Sequence, residues 1–366
     1  MKKLWHFSRT TTGQHRRTFH SRCEGVAVGW DSLWSAGPAK VSCKLVAMGH
    51  QDPSETRVVP MVSVSMTAFN SAGWISRAIE SVLRQNASFP IELVIGDDCS
   101  TDGTLAIAYS YREQHPETIQ ILERTASGNV GMQRNFYETF ERCRGKYIAW
   151  LDADDYWTDS GKLTAQVELL ESDPSLSVCG HFVRWVTEDG TVARERSPAM
   201  PGGRYGLREI LQRNFVPSPS IMFRNGIHRE LPEWYFDLAA LADWPVLVWA
   251  GLSGDIFLLD RVMADYMLSD ASAYMGRGSV YQDRIDVEFC EHLEGSLPPE
   301  WRRAVRSTKG KRYESMAYAL RKQGDFAAAR EAAVQAFCAP DAMDNLAGKT
   351  KALLVAVACE LGSRIR

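Results

Sequence analysis

No stretch of this chain is apolar for long enough to cross a bilayer, which takes about 20 residues; the longest candidate, Ala352 to Cys359, falls far short. Excess charge of one sign is also scarce. A formal net charge of -3 over 366 residues argues against a general nucleic-acid or membrane-coating role. The eight cysteines (Cys23, Cys43, Cys99, Cys143, Cys179, Cys290, Cys338, Cys359) stand singly. With neither a Cys-x-x-Cys pair nor a zinc-ligand spacing, they read as reduced, mostly packed thiols. The first residues have no acid before Glu24 and no hydrophobic h-region, yet carry Lys2, Lys3, Arg9, Arg16, Arg17 and Arg22. They are therefore no secretory signal. Such a start is compatible with an organellar transit peptide, but a disordered extension, or a coding artefact with the true start at Met48, is preferred. Residues 1–57 are expected to carry no fold, and the protein is expected to be cytoplasmic, at most peripheral on the inner face of a membrane.

What is present is ordinary globular composition, 45% hydrophobic and 24% charged, arranged in a clear rhythm. Val58, Val59, Met61, Val62, Val64 and Met66 form the apolar run of a strand buried on both faces. Ile75, Ala78, Ile79, Val82 and Leu83 then recur at helical spacing, behind Asn70 or Ser71 as cap. Strands at Ile91–Ile95, Ile119–Leu122 and Tyr147–Leu151 alternate with helices at Thr104–Glu113 and Met132–Cys143. That alternation predicts βαβ units and a doubly wound α/β sheet. Further on, a helix near Leu163–Glu171, a strand at Val178–Val186 and a polar loop from Glu188 to Gly203 are expected. A short helix at Leu207–Arg213, a strand at Ser220–Arg224 and a helix starting near Asp243 follow. Two short strands, Ile256–Leu259 and Val262–Tyr266, close the domain.

Two acidic clusters stand directly after apolar strands. In open α/β sheets, ligands bind outside the carboxyl ends of strands, so the placement of Asp97-Asp98 before Cys99-Ser100-Thr101-Asp102-Gly103-Thr104 favours a ligand role. Helix capping accounts for Asp102 or Thr101 but not for the pair. Asp152-Ala153-Asp154-Asp155 puts three carboxylates within four residues. They repel one another unless a cation or a donor array compensates. Hard oxygen ligands suit Mg2+ or Mn2+, which use one or two carboxylates plus substrate phosphates and can neutralise a diphosphate leaving group. Taken alone, an acidic loop explains the second cluster equally well.

The order of four segments resembles the family 2 glycosyltransferases of the GT-A fold. They are Val62-Ser63-Val64-Ser65-Met66-Thr67-Ala68-Phe69-Asn70, Asp97 to Thr104, Asn129-Val130-Gly131-Met132-Gln133-Arg134-Asn135, and Asp152-Ala153-Asp154-Asp155. The resemblance covers about Val58 to Tyr266. It implies a catalytic domain over residues 58–270 that moves a sugar from a nucleotide-diphosphate donor, a UDP-sugar by expectation, to an acceptor hydroxyl with inversion. Thr67 and Phe69 would line the nucleoside pocket, Asp98 would bind the base, and Gly131 and Arg134 would close over the donor. Asp152 would approach the ribose and Asp154 would hold Mn2+ or Mg2+ on the diphosphate. The base implied is an Asp at a helix start, matched by Asp243 in Leu241-Ala242-Asp243-Trp244-Pro245, with Ala242 where Glu is usual. Asp237 and Asp255 are weaker candidates, and Asp243 could also simply cap its helix. Trp244, beside the base, is the best candidate to stack on a sugar, whereas Trp249 and His181 read as structural.

The Gln-x-x-Arg-Trp segment of processive synthases is missing, which favours single transfer over polymer extrusion. The Tyr-Arg-x-His segment of many relatives is replaced by Tyr266-Met267-Leu268-Ser269. A nucleotidyltransferase is the rival enzyme reading, disfavoured because Thr67-Ala68-Phe69-Asn70 stands where a Gly-rich basic loop would be. A vestigial sheet domain serving as an interaction protein is the rival non-enzyme reading. Residues 296–366 read as an α-helical annex. Ala317, Leu320, Gly324, Phe326, Ala329, Ala336 and Pro340 resemble one tetratricopeptide-like hairpin, followed by a last helix at 347–361. One such hairpin cannot bury its own face, since roughly three are needed, so it packs on the catalytic domain or on a protein partner. Lys349, Lys351, Arg364 and Arg366 flank the last helix and allow peripheral membrane contact, although a packed helix is preferred. The acceptor expected by analogy is a cell-envelope glycan or a lipid-linked one.

Overall fold

A computed structural model describes residues 59–124, 128–269, 274–339 and 355. The basic extension 1–57 and, apart from Val355, the last expected helix lie outside the described residues. β1 (Val62–Ala68), α1 (Ile75–Leu83), β2 (Ile91–Asp97), α2 (Thr104–Gln114), β3 (Ile119–Glu123), α3 (Met132–Arg142) and β4 (Tyr147–Asp152) follow the predicted alternation. β1 starts at Val62 rather than Val58 because Pro60 has no N–H to give a ladder. α1 starts after Trp74 with no side-chain cap, so neither Asn70 nor Ser71 plays that part.

These four strands pair in parallel in the order β3-β2-β1-β4. The register sets Thr67 opposite both Gly96 and Asp152, and Ala68 opposite Asp97. The acidic strand ends are therefore level with one another. β4 shows why its sequence reads as continuously apolar: Tyr147, Ala149 and Leu151 enter one core, with Val64 and Ile79. Ile148 and Trp150 enter the other, with Phe140 and Phe223. A strand buried on both faces has no polar side to alternate.

The second half comprises β5 (Tyr156–Trp157), α4 (Lys162–Ser172), β6 (Leu176–Thr187), β7 (Val192–Ser197), β8 (Gly203–Tyr205), α5 (Leu207–Gln212), β9 (Met222–Arg224), α6 (Asp243–Ser253) and β10 (Asp255–Leu268). β9 runs antiparallel to β4 and joins it to β6, then β10 and β5 complete one mixed sheet of ten strands among the described residues. The expected polar loop from Glu188 contains β7, a strand hidden in the sequence because arginines do its packing. The guanidinium of Arg194 lies 4.5 Å over Trp185 and that of Arg196 3.7 Å over Phe182. The two short closing strands are one strand, β10, whose pairing slips between Leu259 and Val262. The polar Asp260-Arg261 pair sits in that irregularity.

α7 (Ser279–Ser296), α8 (Arg302–Gln323) and α9 (Phe326–Cys338) complete the described chain and, with Tyr274 just ahead of α7, are taken together as its helical annex. Ile285, Phe289, Leu293 and Val305 share one hydrophobic cluster with Leu211 of α5 and Trp244 and Leu247 of α6. The Thr308 hydroxyl donates to the Leu211 carbonyl at 2.9 Å. α8 turns into α9 at Gly324, whose φ of +82° a side chain would resist. The Asp325 carboxylate then caps α9 by accepting the Ala328 N–H at 3.0 Å. The hairpin interior is Met316, Ala317, Leu320, Ala329, Ala332 and Ala333. Its α8 limb thus lies against the sheet domain.

Candidate active site

The carboxyl ends of β1, β2 and β4 hold the first group of side chains. Asp98, 4% exposed, follows β2 and accepts the backbone N–H groups of Val130 (2.8 Å) and Gly131 (3.0 Å), one on each oxygen. The Asn129 side chain donates to the Asp98 carbonyl at 3.0 Å. Asp98 therefore ties the end of β2 to the entry of α3, a role beyond the expected contact with a base. Two lone-pair positions on its carboxylate remain for a ligand. Gly131 has φ +87°, the left-handed region that only glycine enters without strain. Phe69, after β1, is 54% exposed.

Asp152 and Asp154 form the second group, both half-buried. Asp152 accepts the Thr67 hydroxyl at 3.0 Å and the Trp150 indole N–H at 3.2 Å. Desolvation pushes Asp152 up to about 7, and the charges of Asp154 and Asp243 act in the same direction. Desolvation raises Asp154 also. Beyond its own N–H, no described residue donates a hydrogen bond to Asp154. Asp155 points elsewhere: it is 3% exposed and accepts the Met267 N–H at 2.7 Å. Burial holds it well above the usual carboxylate range.

Asp243, the first residue of α6, is half-buried and comes from a different stretch of chain. It accepts the Trp244 N–H at 2.7 Å and the Asn214 side-chain amide at 2.8 Å. Desolvation raises its pKa despite both bonds. The Tyr266 hydroxyl feels the charges of Asp152, Asp154, Asp155 and Asp243 together. The carboxylates of β4 and α6 thus converge on one region. Asp98 stands at the same edge of the sheet but one strand away, with β1 between it and Asp152.

Other expected residues fall differently. Trp244 cannot stack on a sugar. It is 2% exposed, its indole N–H is committed to the Ile210 carbonyl at 2.7 Å, and it fills the core against Phe289. The wide apolar ring next to a buried helix start has more to gain from the core than from solvent. Arg134 is exposed on α3, with its guanidinium 4.8 Å over Phe236 and 3.9 Å from Glu138. His181 is fully buried against the Phe182 carbonyl. Asp255 is tied to Arg204 at 3.1 Å. Asn214 and Tyr266 were missed. A loop Asn and a strand Tyr carry no sequence signal, because only folding brings them to Asp243.

Among the described residues, no group of three or more His, Cys, Asp or Glu side chains is gathered closely enough to hold a metal ion alone. The donor set nevertheless fits Mn2+ or Mg2+ of the kind that takes one or two carboxylates and completes its shell with water and phosphate oxygens. Asp154 offers a carboxylate without a competing donor. Desolvation of both carboxylates, with the Asp154 charge added at Asp152, disfavours their ionised forms, and a cation would offset that.

A mixed sheet of this order, with acidic ends on its parallel half, is the architecture of a GT-A glycosyltransferase. Residues 63–231 match the family model described as Glycosyl transferase family 2, and the domain over those residues belongs to that family. The uncharacterized protein Rv1520 of Mycobacterium tuberculosis is 34% identical over 209 residues, 56% of this chain and 58% of that protein. The chain therefore spans less than two thirds of that relative's length. The poly(ribitol-phosphate) beta-N-acetylglucosaminyltransferase TarS of Staphylococcus aureus is 36% identical over 97 residues, 26% of this chain and 16% of TarS. The crystal structure of TarS residues 1–349 with UDP-GlcNAc has a TM-score of 0.59 at 17% identity, covering 83% of this chain and 91% of that one. The mannosyltransferase PcManGT of Pyrobaculum calidifontis, in complex with GDP-Man and Mn2+, has a TM-score of 0.51 at 17% identity, covering 83% and 84%. At such identity these two structures speak for the fold alone.

Proposed function

We propose that the protein transfers a single sugar from a nucleotide-diphosphate sugar, a UDP-sugar by preference, to an acceptor hydroxyl with inversion. The observation that carries this reading is the convergence of Asp152 and Asp154 with Asp243 at one end of the sheet. Two roles need two kinds of carboxylate. Asp152 and Asp154, at the strand ends beside Thr67, are placed for the donor, with Asp98, Gly131, Phe69 and Arg134 contributing the nucleotide side. Asp243, held by Asn214 and the Trp244 N–H, is placed to take the acceptor proton as that oxygen attacks the anomeric carbon and the nucleoside diphosphate leaves. Burial raises its proton affinity, the direction a general base requires. A divalent ion held by Asp154 would supply charge neutralisation on the departing diphosphate. A cell-envelope or lipid-linked glycan is the acceptor class we favour, in keeping with TarS, a poly(ribitol-phosphate) beta-N-acetylglucosaminyltransferase.

The test is a panel of UDP-glucose, UDP-galactose, UDP-N-acetylglucosamine and GDP-mannose with Mn2+, read by nucleotide release and by thermal stabilisation. One of them should be turned over, and chelator should stop it. Asp154→Asn and Asp243→Asn should each cost a hundred-fold or more in turnover, on the order expected for removing a metal carboxylate or a general base. Unchanged turnover in chelator would sink the metal-assisted reading.

A further inference from the structure

Trp244, the residue after the proposed base, is held from the annex. Its ring packs on Phe289 of α7 at 5.1 Å between centroids. The guanidinium of Arg312, on α8, lies 5.6 Å from the ring centre. Arg312 Nε donates to Asp286 Oδ2 at 3.0 Å, and the Tyr274 hydroxyl donates to Asp286 Oδ1 at 2.8 Å. Asp286 is 1% exposed, and Asp283 lies 3.9 Å from the same guanidinium.

An Asp–Arg pair would fasten α7 to α8 wherever it stood. The position of this one is what a fastening role leaves unexplained. The charge of Asp243 reaches Asp286 and Tyr274 of the annex as well as Asp152 on β4, Tyr235 in the turn before α6, and Tyr266 on β10. Of this set Arg312 meets Asp286 and Tyr274, and it touches the start of α6 through the Trp244 ring. We propose that Arg312 and Asp286 are positioning residues for Asp243, so that the helical annex is part of the catalytic apparatus. They hold the start of α6 through Trp244 and balance the charge behind the base. The inference rests on the reading of Asp243 as base.

The two members of the pair carry opposite charges, and this separates electrostatic positioning from simple fastening. Asp286→Asn leaves an unbalanced cation behind Asp243 and favours its ionised form; Arg312→Met leaves an unbalanced buried anion and disfavours it. The experiment uses the full chain with Mn2+ and whichever of the four sugar nucleotides above the wild type releases fastest, water standing in for the acceptor. In both variants kcat should fall about ten-fold or more, with KM for the sugar nucleotide within about two-fold. The acid limb of the kcat profile should move by roughly half a pH unit or more, to lower pH in Asp286→Asn and to higher pH in Arg312→Met. Arg312→Lys, which keeps the charge, should leave the limb at the wild-type position; if Arg312→Met fails to fold, Arg312→Gln takes its place with the same expected shift to higher pH. Limbs that stay put, or move the same way in both variants, overturn the inference and leave Asp243 as base. Wild-type turnover in Asp243→Asn, or no release from any of the four donors, overturns the functional reading and this inference with it.

Discussion

Asp152 and Asp154 sit two residues apart and half-buried, where desolvation raises the cost of ionising both and the Asp154 charge adds to it at Asp152. In the metal-free protein this is a local destabilisation, tolerated where function needs it. Folding raises Asp152 from 3.8 to about 7, so the folded state binds its proton more tightly than the unfolded chain. The stabilising contribution is complete below 3.8 and is lost as pH rises through about 7. Metal-free protein should therefore gain stability from this pair between neutral and mildly acidic pH, and Mn2+ should flatten that dependence; differential scanning calorimetry across the range checks both. Asp154→Asn should raise the metal-free Tm while turnover disappears, by on the order of 1 kcal/mol or roughly 2–4 °C. A fall in Tm would show that Asp154 serves the fold instead. The acids at the strand ends could be read from the sequence, because a strand's end and a carboxylate are both local facts. The burial of Trp244 could not, since no local pattern shows which face of α6 meets α7.

The loop from Asn129 to Gly131 is one element whose shape depends on a single side chain elsewhere, Asp98. Gly131→Ala must hold a side chain at φ +87° and ψ 159°, at about 1–3 kcal/mol. The expected outcome is that loss in urea denaturation together with weaker UDP binding by calorimetry. Unchanged UDP affinity would remove the loop from the donor site. β7 and the irregularity in β10 show the opposite limit of local reading. Arg194 and Arg196 look like solvent residues in Val192-Ala193-Arg194-Glu195-Arg196, yet their guanidinium groups cover Trp185 and Phe182. Polar Asp260-Arg261 divides one strand into what reads as two, since only in three dimensions does pairing to β6 continue across it.

At the scale of the whole molecule, the sheet domain and the annex share apolar surface. Phe289 of α7 is fully buried between Trp244 and Trp234. Phe289→Ala should cost about 3–5 kcal/mol in global stability, measured by urea denaturation of the full chain. A loss confined to the annex, with the sheet domain unfolding at its wild-type midpoint, would mean that the two fold independently. The hairpin's alanine spacing was legible, as was its need for a neighbour. Which neighbour was not: the Thr308 bond to the Leu211 carbonyl joins residues 97 apart in the chain.

By itself the sequence determined the alternation of strands and helices, the parallel start of the sheet and the strand-end acids. Each follows from hydrophobic period and from the geometry of a strand end, both short-range properties. Only the tertiary structure decided that Asp243 joins Asp152 and Asp154, that Asn214 holds it, and that Arg312, paired with Asp286, lies over Trp244. Those contacts link distant segments, and their existence depends on packing between layers rather than on any residue's immediate neighbours.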